Sequence, residues 1–473
     1  MVEEISGISP LPKPGVIWLL VSRLSSGTAM FLATSILARV FGDSEFGFLS
    51  FILLTSTFLT EIVDLGFSRI IIRDLGVVHE KRKYLGSVLL IKICFASIIA
   101  ITAVIWANHP WQDNTSWGYL ALGIGVLSGS LWTTAYYTAQ SIGNWFAVFL
   151  IDIGRNFVVF ICALTVFLFA FPRSYFWTYI SLGQIILGII FLFWMWRKIG
   201  FAIPDKTILK TLLFEAAVIG TATLVGSLCN KIDFYVLYHY LPKVDFGHFS
   251  AAYWLYYLIF NIPFIWMMGW SPMISASSIK KRTESIWVTM FFFILSSIFL
   301  TGIWLYEGNA LTLLIFGPEF SMIRVFMILF SILLPIHGAV VYLDAIMIIQ
   351  KRSECVLVLM VVTLIVYIVG NIAGVSYFGI WTAFIMRFIV EGLSLMTRIF
   401  FLREQIYKYK LVYSADLLEL IFIATLFFII MAMCDLYKSF ILIPLLVLFL
   451  CVVGIRSYRR YTSFVGEVLS EKS

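Results

Sequence analysis

Apolar residues run through this chain in uninterrupted blocks of about 20. A block of that length crosses the roughly 30 Å hydrocarbon layer as one helix. The blocks do not alternate as strands would, so helices rather than a barrel satisfy the backbone inside lipid. Only 12% of the residues are charged, against about a quarter in soluble domains. The expected fold class is therefore an all-α polytopic membrane protein with about 14 transmembrane helices. The candidate spans are 16–38, 48–68, 84–106, 117–139, 146–171, 175–196, 208–229, 249–270, 286–306, 325–349, 355–374, 377–397, 414–434 and 439–455.

One short polar stretch organises the blocks. Val40-Phe41-Gly42-Asp43-Ser44-Glu45-Phe46-Gly47-Phe48-Leu49-Ser50 separates the first two spans. Two hundred residues on, Tyr240-Leu241-Pro242-Lys243-Val244-Asp245-Phe246-Gly247-His248-Phe249-Ser250 follows the seventh. Both read acidic, Phe, Gly, x, x, Ser, and both follow the first span of a half. Copies separated by six spans share one topology, so the pseudo-twofold axis runs along the membrane normal. This divides the chain into a terminus 1–15, an N-lobe 16–206 with helices 1–6, and a C-lobe 207–402 with helices 7–12. Helices 13–14 over 403–455 and a basic tail 456–473 follow. The two six-helix lobes are pseudo-symmetric rather than equivalent, since Leu241-Pro242-Lys243 stands where the first copy has Phe41-Gly42-Asp43.

Charge bias orients the spans. Most of the 33 basic residues fall in alternate connections, among them Arg69, Arg73, Lys81 to Lys83, Lys280 to Arg282, Lys351, Arg352, Arg398 and Arg403. The opposite connections hold only Arg39, Arg173, Lys231, Lys243 and Lys438. Cytoplasmic loops carry the Lys/Arg excess, which places both termini in the cytoplasm and the protein in a plasma membrane, multi-pass. The net charge of +7 is thus topological, and no nucleic-acid partner is expected. No connection is long enough to house an enzyme or the large outer loop of a polymerase. The six cysteines form no metal-like pair, and neither a metal nor a cofactor is expected. The first helix is read as retained rather than as a removed signal peptide.

Function must then reside among the helices, where charge is expensive. Arg23 stands inside the first span beside Ser22, Ser25, Ser26 and Gly27, a neighbourhood that suits either a cavity wall or a close helix contact. Arg155 lies three residues after Asp152, and Arg387 four before Glu391. Each reads as a neutralised pair or as a cation with donors to spare for an anion. Lys92 has no carboxylate within four positions and either faces the interior or snorkels. Glu61 and Asp64, near the inner end of the second span, read as a salt-bridged gate or as an ion-coupling site. Asp344 stands alone in an apolar run, and Lys231 with Asp233 sits at the outer end of the seventh span; these three join the gate or ion-coupling candidates. Glu215, Asp416 and Glu419 complete the acidic set. Tyr253, Trp254, Tyr256 and Tyr257 read as an interfacial belt or as sugar contacts. Interior arginines suggest an anionic cargo such as a phosphate ester.

Several motifs resemble one family in order and spacing. Ala38 to Gly47 is similar to the first outer turn of the polysaccharide exporters, the lipid-linked O-unit flippases. Asp64-Leu65-Gly66-Phe67-Ser68 with Arg73 resembles their second-helix ending, and Ile232-Asp233-Phe234 with Phe246 to Ser250 their second-lobe entry. Leu314-Ile315-Phe316-Gly317-Pro318-Glu319-Phe320 resembles a further turn, and Gly374, Gly379 and Ile380 echo another. The resemblance implies the multidrug, oligosaccharidyl-lipid and polysaccharide exporter superfamily, with two lobes in a V that opens alternately to each side. It implies a polyprenyl-diphosphate-linked oligosaccharide as cargo, membrane lipid around its tail, and partners such as a glycan polymerase. Arg23, Arg155, Arg387 and Lys92 would bind the cargo, and Glu61, Asp64, Lys231, Asp233 and Asp344 would gate or couple. A peptidoglycan lipid-precursor flippase and an ion-coupled multidrug antiporter are the alternatives.

Overall fold

The computed structural model describes residues 14–408, apart from 77, 108–115, 170, 172–173, 277–278 and 350–351. The expected spans 414–434 and 439–455, the tail, Asp416, Glu419 and both termini lie outside the described residues. Over that range the chain is all-α. All twelve expected spans up to 397 fall on helices: α1 (Pro14–Asp64), α3 (Lys81–Ala107), α4 (Ser116–Ser141), α5 (Trp145–Leu168), α6 (Ser174–Lys198), α7 (Lys206–Tyr240), α8 (Lys243–Ala276), α9 (Ile279–Tyr306), α11 (Ile323–Ile349), α12 (Ser353–Phe378) and α13 (Trp381–Lys408), with two short helices, α2 (Phe67–Asp74) and α10 (Gly308–Ile315).

Two expected spans share α1, whose 51 residues bend at Gly42. That residue sits at φ 74° and ψ 174°, a conformation glycine alone adopts without steric cost. The first polar stretch is therefore a one-residue break rather than a loop. Its counterpart breaks at Leu241–Pro242, where proline supplies no N–H to continue α7. Positions 42 and 242 end a helix by opposite chemistry. The second half of α1 ends at Asp64 and reverses through Leu65 (φ 41°) and Gly66 (φ 81°) into α2, a few residues before the expected limit.

Two boundaries correct the reading made from hydropathy. The helix α7 continues past 229 to Tyr240, so Lys231 and Asp233 lie inside it and not in an outer connection. The helix α13 continues past 397 to Lys408, and Arg398, counted with the cytoplasmic loops, is a buried helical residue. In both places a charged side chain ended the apolar run although the helix did not end. These charges face protein rather than lipid, so the helix continues at little cost.

The chain forms two compact units. Among the described residues, the N unit comprises those up to Trp254 with Ile315–Glu319; the C unit comprises Leu255–Leu314 and those from Phe320 to Lys408. In the N unit α1 packs against α5, α4 and α7. One core cluster joins Leu85, Trp132, Tyr136, Val148 and Met195. In the C unit α11 lies between α9, α12 and α13, with Tyr342, Leu343, Ile346 and Leu402 in its core. Large apolar side chains such as Ile105, Leu182, Ile189, Val358 and Ile365 remain exposed, as lipid-facing residues do.

Candidate functional site

Two turns meet at the break of α1. A side chain added at Gly47 would press on the Phe246 ring at 2.9 Å and the Gly247 backbone nitrogen at 3.2 Å. The two copies of the repeated motif thus pack directly on each other, with Phe46, Phe246, Ser50 and Ser250 all buried. The Gly317 turn joins them: Arg39 Nε donates to the Ile315 carbonyl at 3.2 Å, and His248 Nε2 lies 2.8 Å from the Glu319 carbonyl oxygen. A carbonyl only accepts, so Nε2 carries a proton there. Asp43 faces the same ring nitrogen at 3.6 Å. Three of the motifs that resemble the exporter family are therefore one structural knot.

Deeper in the N unit two arginines stack on neighbouring rings of α4. Arg23, from α1, sits 5.3 Å over Tyr136, and Arg155, from α5, 4.8 Å over Trp132. The two rings are themselves stacked at 5.6 Å, and the Trp132 indole N–H is fixed by the Ile151 carbonyl. Guanidinium planes gain from such stacking and keep their edge donors available. Asp152 lies 3.7 Å from Arg23 Nη1 and accepts a 2.6 Å bond from Ser22; Arg155 donates to Thr57 at 3.2 Å. The Arg23 side chain is 40% exposed while Asp152 is only 3%. Arg23 is thus half-exposed beside a buried carboxylate, and Arg155 is half-buried.

Lys92 is placed differently. It has no exposed surface and donates at 2.7 Å to both Asp64 and Thr133. The other Asp64 oxygen accepts from the Ser68 hydroxyl at 2.6 Å and its N–H at 3.2 Å. The Asp64-Leu65-Gly66-Phe67-Ser68 motif is therefore a cap on α2 that also neutralises α3. Glu61, one turn earlier, pairs with Lys231 at 2.9 Å through both oxygens, and Ser227 donates to the same carboxylate. The reading that set these two residues at opposite ends of their helices is corrected by this contact. Asp233 is fully buried, and its carboxylate accepts the N–H of Phe234 at 2.9 Å.

In the C unit Arg387 is 4% exposed. It donates to the Tyr256 hydroxyl at 2.8 Å and lies over the Tyr256 and Phe330 rings. Glu391 is held by His337 at 2.7 Å, a partner not anticipated from sequence. Asp344, which looked solitary, binds Arg398 through two bonds of 2.6 and 2.9 Å. Of the four aromatic residues near the second turn, three pack inside the protein. Tyr253 donates to the Asn230 carbonyl, Trp254 to Ser50, and Tyr256 accepts from Arg387.

The model of a family described as "Polysaccharide biosynthesis protein" matches residues 13–278, more than half of the chain. The chain belongs to this family. No curated protein sequence matches it. Among solved structures it is similar to "Lipid II flippase MurJ, inward closed conformation", with 15% identity and TM-score 0.69 over 95% of this chain and 99% of that one. It is also similar to an inward-facing multidrug resistance MATE family transporter of the MOP superfamily, at 12% identity and TM-score 0.63 over 84% and 99%. A MOP superfamily transporter from Pyrococcus furiosus Vc1 (DSM3638) gives 14% identity and TM-score 0.58 over 83% and 96%. The described residues share the all-α fold of these structures, and the chain is a multi-pass membrane protein.

Proposed function

We propose that this protein is an alternating-access flippase that moves a glycan carried on a polyprenyl diphosphate from the cytoplasmic to the outer leaflet of a bacterial inner membrane. The observation that carries this reading is the arginine pair Arg23, 40% exposed, and Arg155, half-buried, stacked on Tyr136 and Trp132 inside helices of membrane length. Stacking holds each guanidinium rigid, and a rigid fork matches two phosphate oxygens at once. The lipid tail would stay in the membrane, so only the head need leave lipid.

We narrow the cargo contacts read from sequence to two arginines. The Arg23 side chain is 40% exposed and Arg155 is half-buried, whereas Lys92 and Arg387 have almost no exposed surface. In this reading Lys92 is a scaffold cation and Arg387 positions Tyr256. Glu61 with Lys231, joined through α1 and α7, is the proposed gate, because it is a charged tie that water can replace once the helices part.

On the finer identity of the cargo, the fold likeness to the lipid II flippase, extending over nearly all of both chains, favours the peptidoglycan-precursor alternative. The O-unit reading is supported by the family description and by the turn motifs. A drug antiporter fits less well, because interior arginines repel organic cations. Both glycan cargoes share the diphosphate that the arginines would bind. The deciding experiment reconstitutes the protein in proteoliposomes with either lipid II or an undecaprenyl-diphosphate oligosaccharide and scores leaflet accessibility. Movement of one and not the other assigns the cargo. Movement of neither, with uptake of organic cations, would overturn the reading.

A further inference from the structure

The junction between α6 and α7 carries charge and exposed aromatic surface in a fixed order. Residues 193–214 hold Arg197, Lys198, Lys206 and Lys210 against one carboxylate, Asp205. Asp205 is engaged at the start of α7, where it accepts the Thr207 N–H at 2.8 Å. Elsewhere in the N unit Arg73 is tied to Glu215 and Lys83 to Glu80. Among the described residues the four cations of the junction form no ion pair.

The two helix ends repeat one arrangement. On α6 Phe193 is exposed, and Arg197, four residues on, lies 5.3 Å over its ring. On α7 Lys210 is exposed, and Phe214, four residues on, is 74% exposed. Residues four apart share a helix face and lie about 6 Å apart along the axis. The chain leaves the apolar layer along α6 and re-enters it along α7, so each cation stands on the solvent side of its ring. Lys206 adds a further cation one turn above Lys210, and Trp196 is exposed beside Arg197. The two ends meet, since Ile199, Ile208 and Leu209 all pack against the cluster that holds Phe67, Ile71 and Tyr84.

The linker between them is held in place. Arg82 Nε donates to the Ile199 carbonyl at 3.1 Å, and the Ala202 N–H donates to the Arg82 carbonyl at 3.3 Å. Gly200 turns the chain at φ 80°. Ile203 follows with 88% exposure, a large apolar side chain displayed from backbone that α3 fixes. Water offers such a side chain nothing, whereas at headgroup depth it reaches acyl chains. The charge bias of a membrane protein requires cations only on one side of the bilayer. It does not require them to be unpaired, nor to stand one turn above exposed rings on two adjoining helices.

We propose that this junction binds an anionic phospholipid of the leaflet it faces. Its phosphate lies among Arg197, Lys206 and Lys210, and its acyl chains run along Phe193, Phe214 and Ile203. The apolar residues alone accept any lipid, and the unpaired cations select negative charge. An acidic protein surface would complement the cations but not the rings and Ile203 at acyl depth. The binding does not rest on the flippase reading.

The test uses the full chain in bilayers with Trp196 as reporter. The chain has 15 tryptophans, and the difference between wild type and W196F isolates this one. Brominated phosphatidylglycerol is expected to quench Trp196 at least about twofold more than brominated phosphatidylcholine at equal mole fraction. K206Q/K210Q and R197Q, with unfolding midpoints measured alongside, should each lower that ratio toward equality. K243Q, in the opposite connection, should leave it unchanged. In wild type, salt of about 0.5 M should shrink the ratio without any substitution. Equal quenching by the two lipids in wild type would overturn the proposal. So would a ratio that K206Q/K210Q or salt leaves intact, or one that K243Q lowers as much. Loss of the preference on adding inorganic phosphate at constant ionic strength would assign a free-phosphate site instead and overturn it as well.

Discussion

Gly47 and Gly247 lie against each other, each filling space that a methyl group on the other's motif would need. A Cβ on Gly47 would stand 3.2 Å from the Gly247 nitrogen, and one on Gly247 would overlap the carbonyl oxygen of Asp43. The obstacle at Gly247 is backbone and cannot rotate away, whereas part of that at Gly47 is the Phe246 ring. Alanine at Gly247 is therefore expected to cost about 1–3 kcal/mol of stability and to cost more than alanine at Gly47. Thermal unfolding of both variants in the same detergent checks the order. A G247A midpoint equal to wild type would refute the contact.

Removing the Lys92 charge alone should be severe. K92M leaves the buried Asp64 carboxylate without its counter-charge, and breaking one side of a buried pair costs about 3–5 kcal/mol. The double variant K92M/D64N should recover much of this loss, because no net charge remains inside. Unfolding midpoints of the two single variants and the double variant form the cycle. Additive losses would mean that the 2.7 Å pair contributes no coupling.

The stacked arginines separate shape from charge. R155K keeps the charge but loses the planar fork over Trp132, and R155Q loses both. Flipping in proteoliposomes should fall about tenfold or more in R155Q and R23Q, with R155K between R155Q and wild type. Full activity of R155K together with R155Q would exclude Arg155 from the cargo path. Protein abundance and unfolding midpoint, measured alongside, separate lost transport from lost fold.

Asp205 caps α7, accepting the N–H of Thr207 at 2.8 Å together with its hydroxyl. Those bonds hold its carboxyl below the ordinary 3.8. A depressed value means that the capping contribution is present above the unfolded value and is lost as pH falls through the lowered folded value. D205A should accelerate amide exchange in the first turn of α7 at neutral pH, and D205N much less, since an amide oxygen still accepts. Equal exchange in D205A and wild type would show that the cap does not hold the turn.

Helix existence was legible because apolar blocks of membrane length have few alternatives. The turns themselves were also legible, since Gly42, Gly47, Gly247 and Gly317 mark places where backbone needs positive φ or close approach, but their packing on one another was not. Partners were not. Asp344 looked solitary because its arginine lies on a neighbouring helix and was read as a loop residue. A clue was present in the matched heptad spacing of Phe330, His337 and Asp344 with Phe384, Glu391 and Arg398. Lys231 was misplaced for a related reason. Hydropathy registers a charge as the edge of a span, yet a buried partner such as Glu61 lets the helix carry it onward. Arg155 lay one turn from Asp152, but the structure gives Asp152 to Ser22 and Arg23, and sets Arg155 against Thr57 and the Trp132 ring.

The two oxygens of Asp64 also bear on how the chain enters the membrane. A helix with a lysine near its middle inserts poorly alone, and α3 is such a helix. Its counter-charge is synthesised first, at the end of α1, and the cap on α2 keeps that carboxylate turned toward the place where α3 will arrive. Insertion of α3 is thus expected to be a paired event, with the hairpin rather than the single helix as the unit that enters lipid.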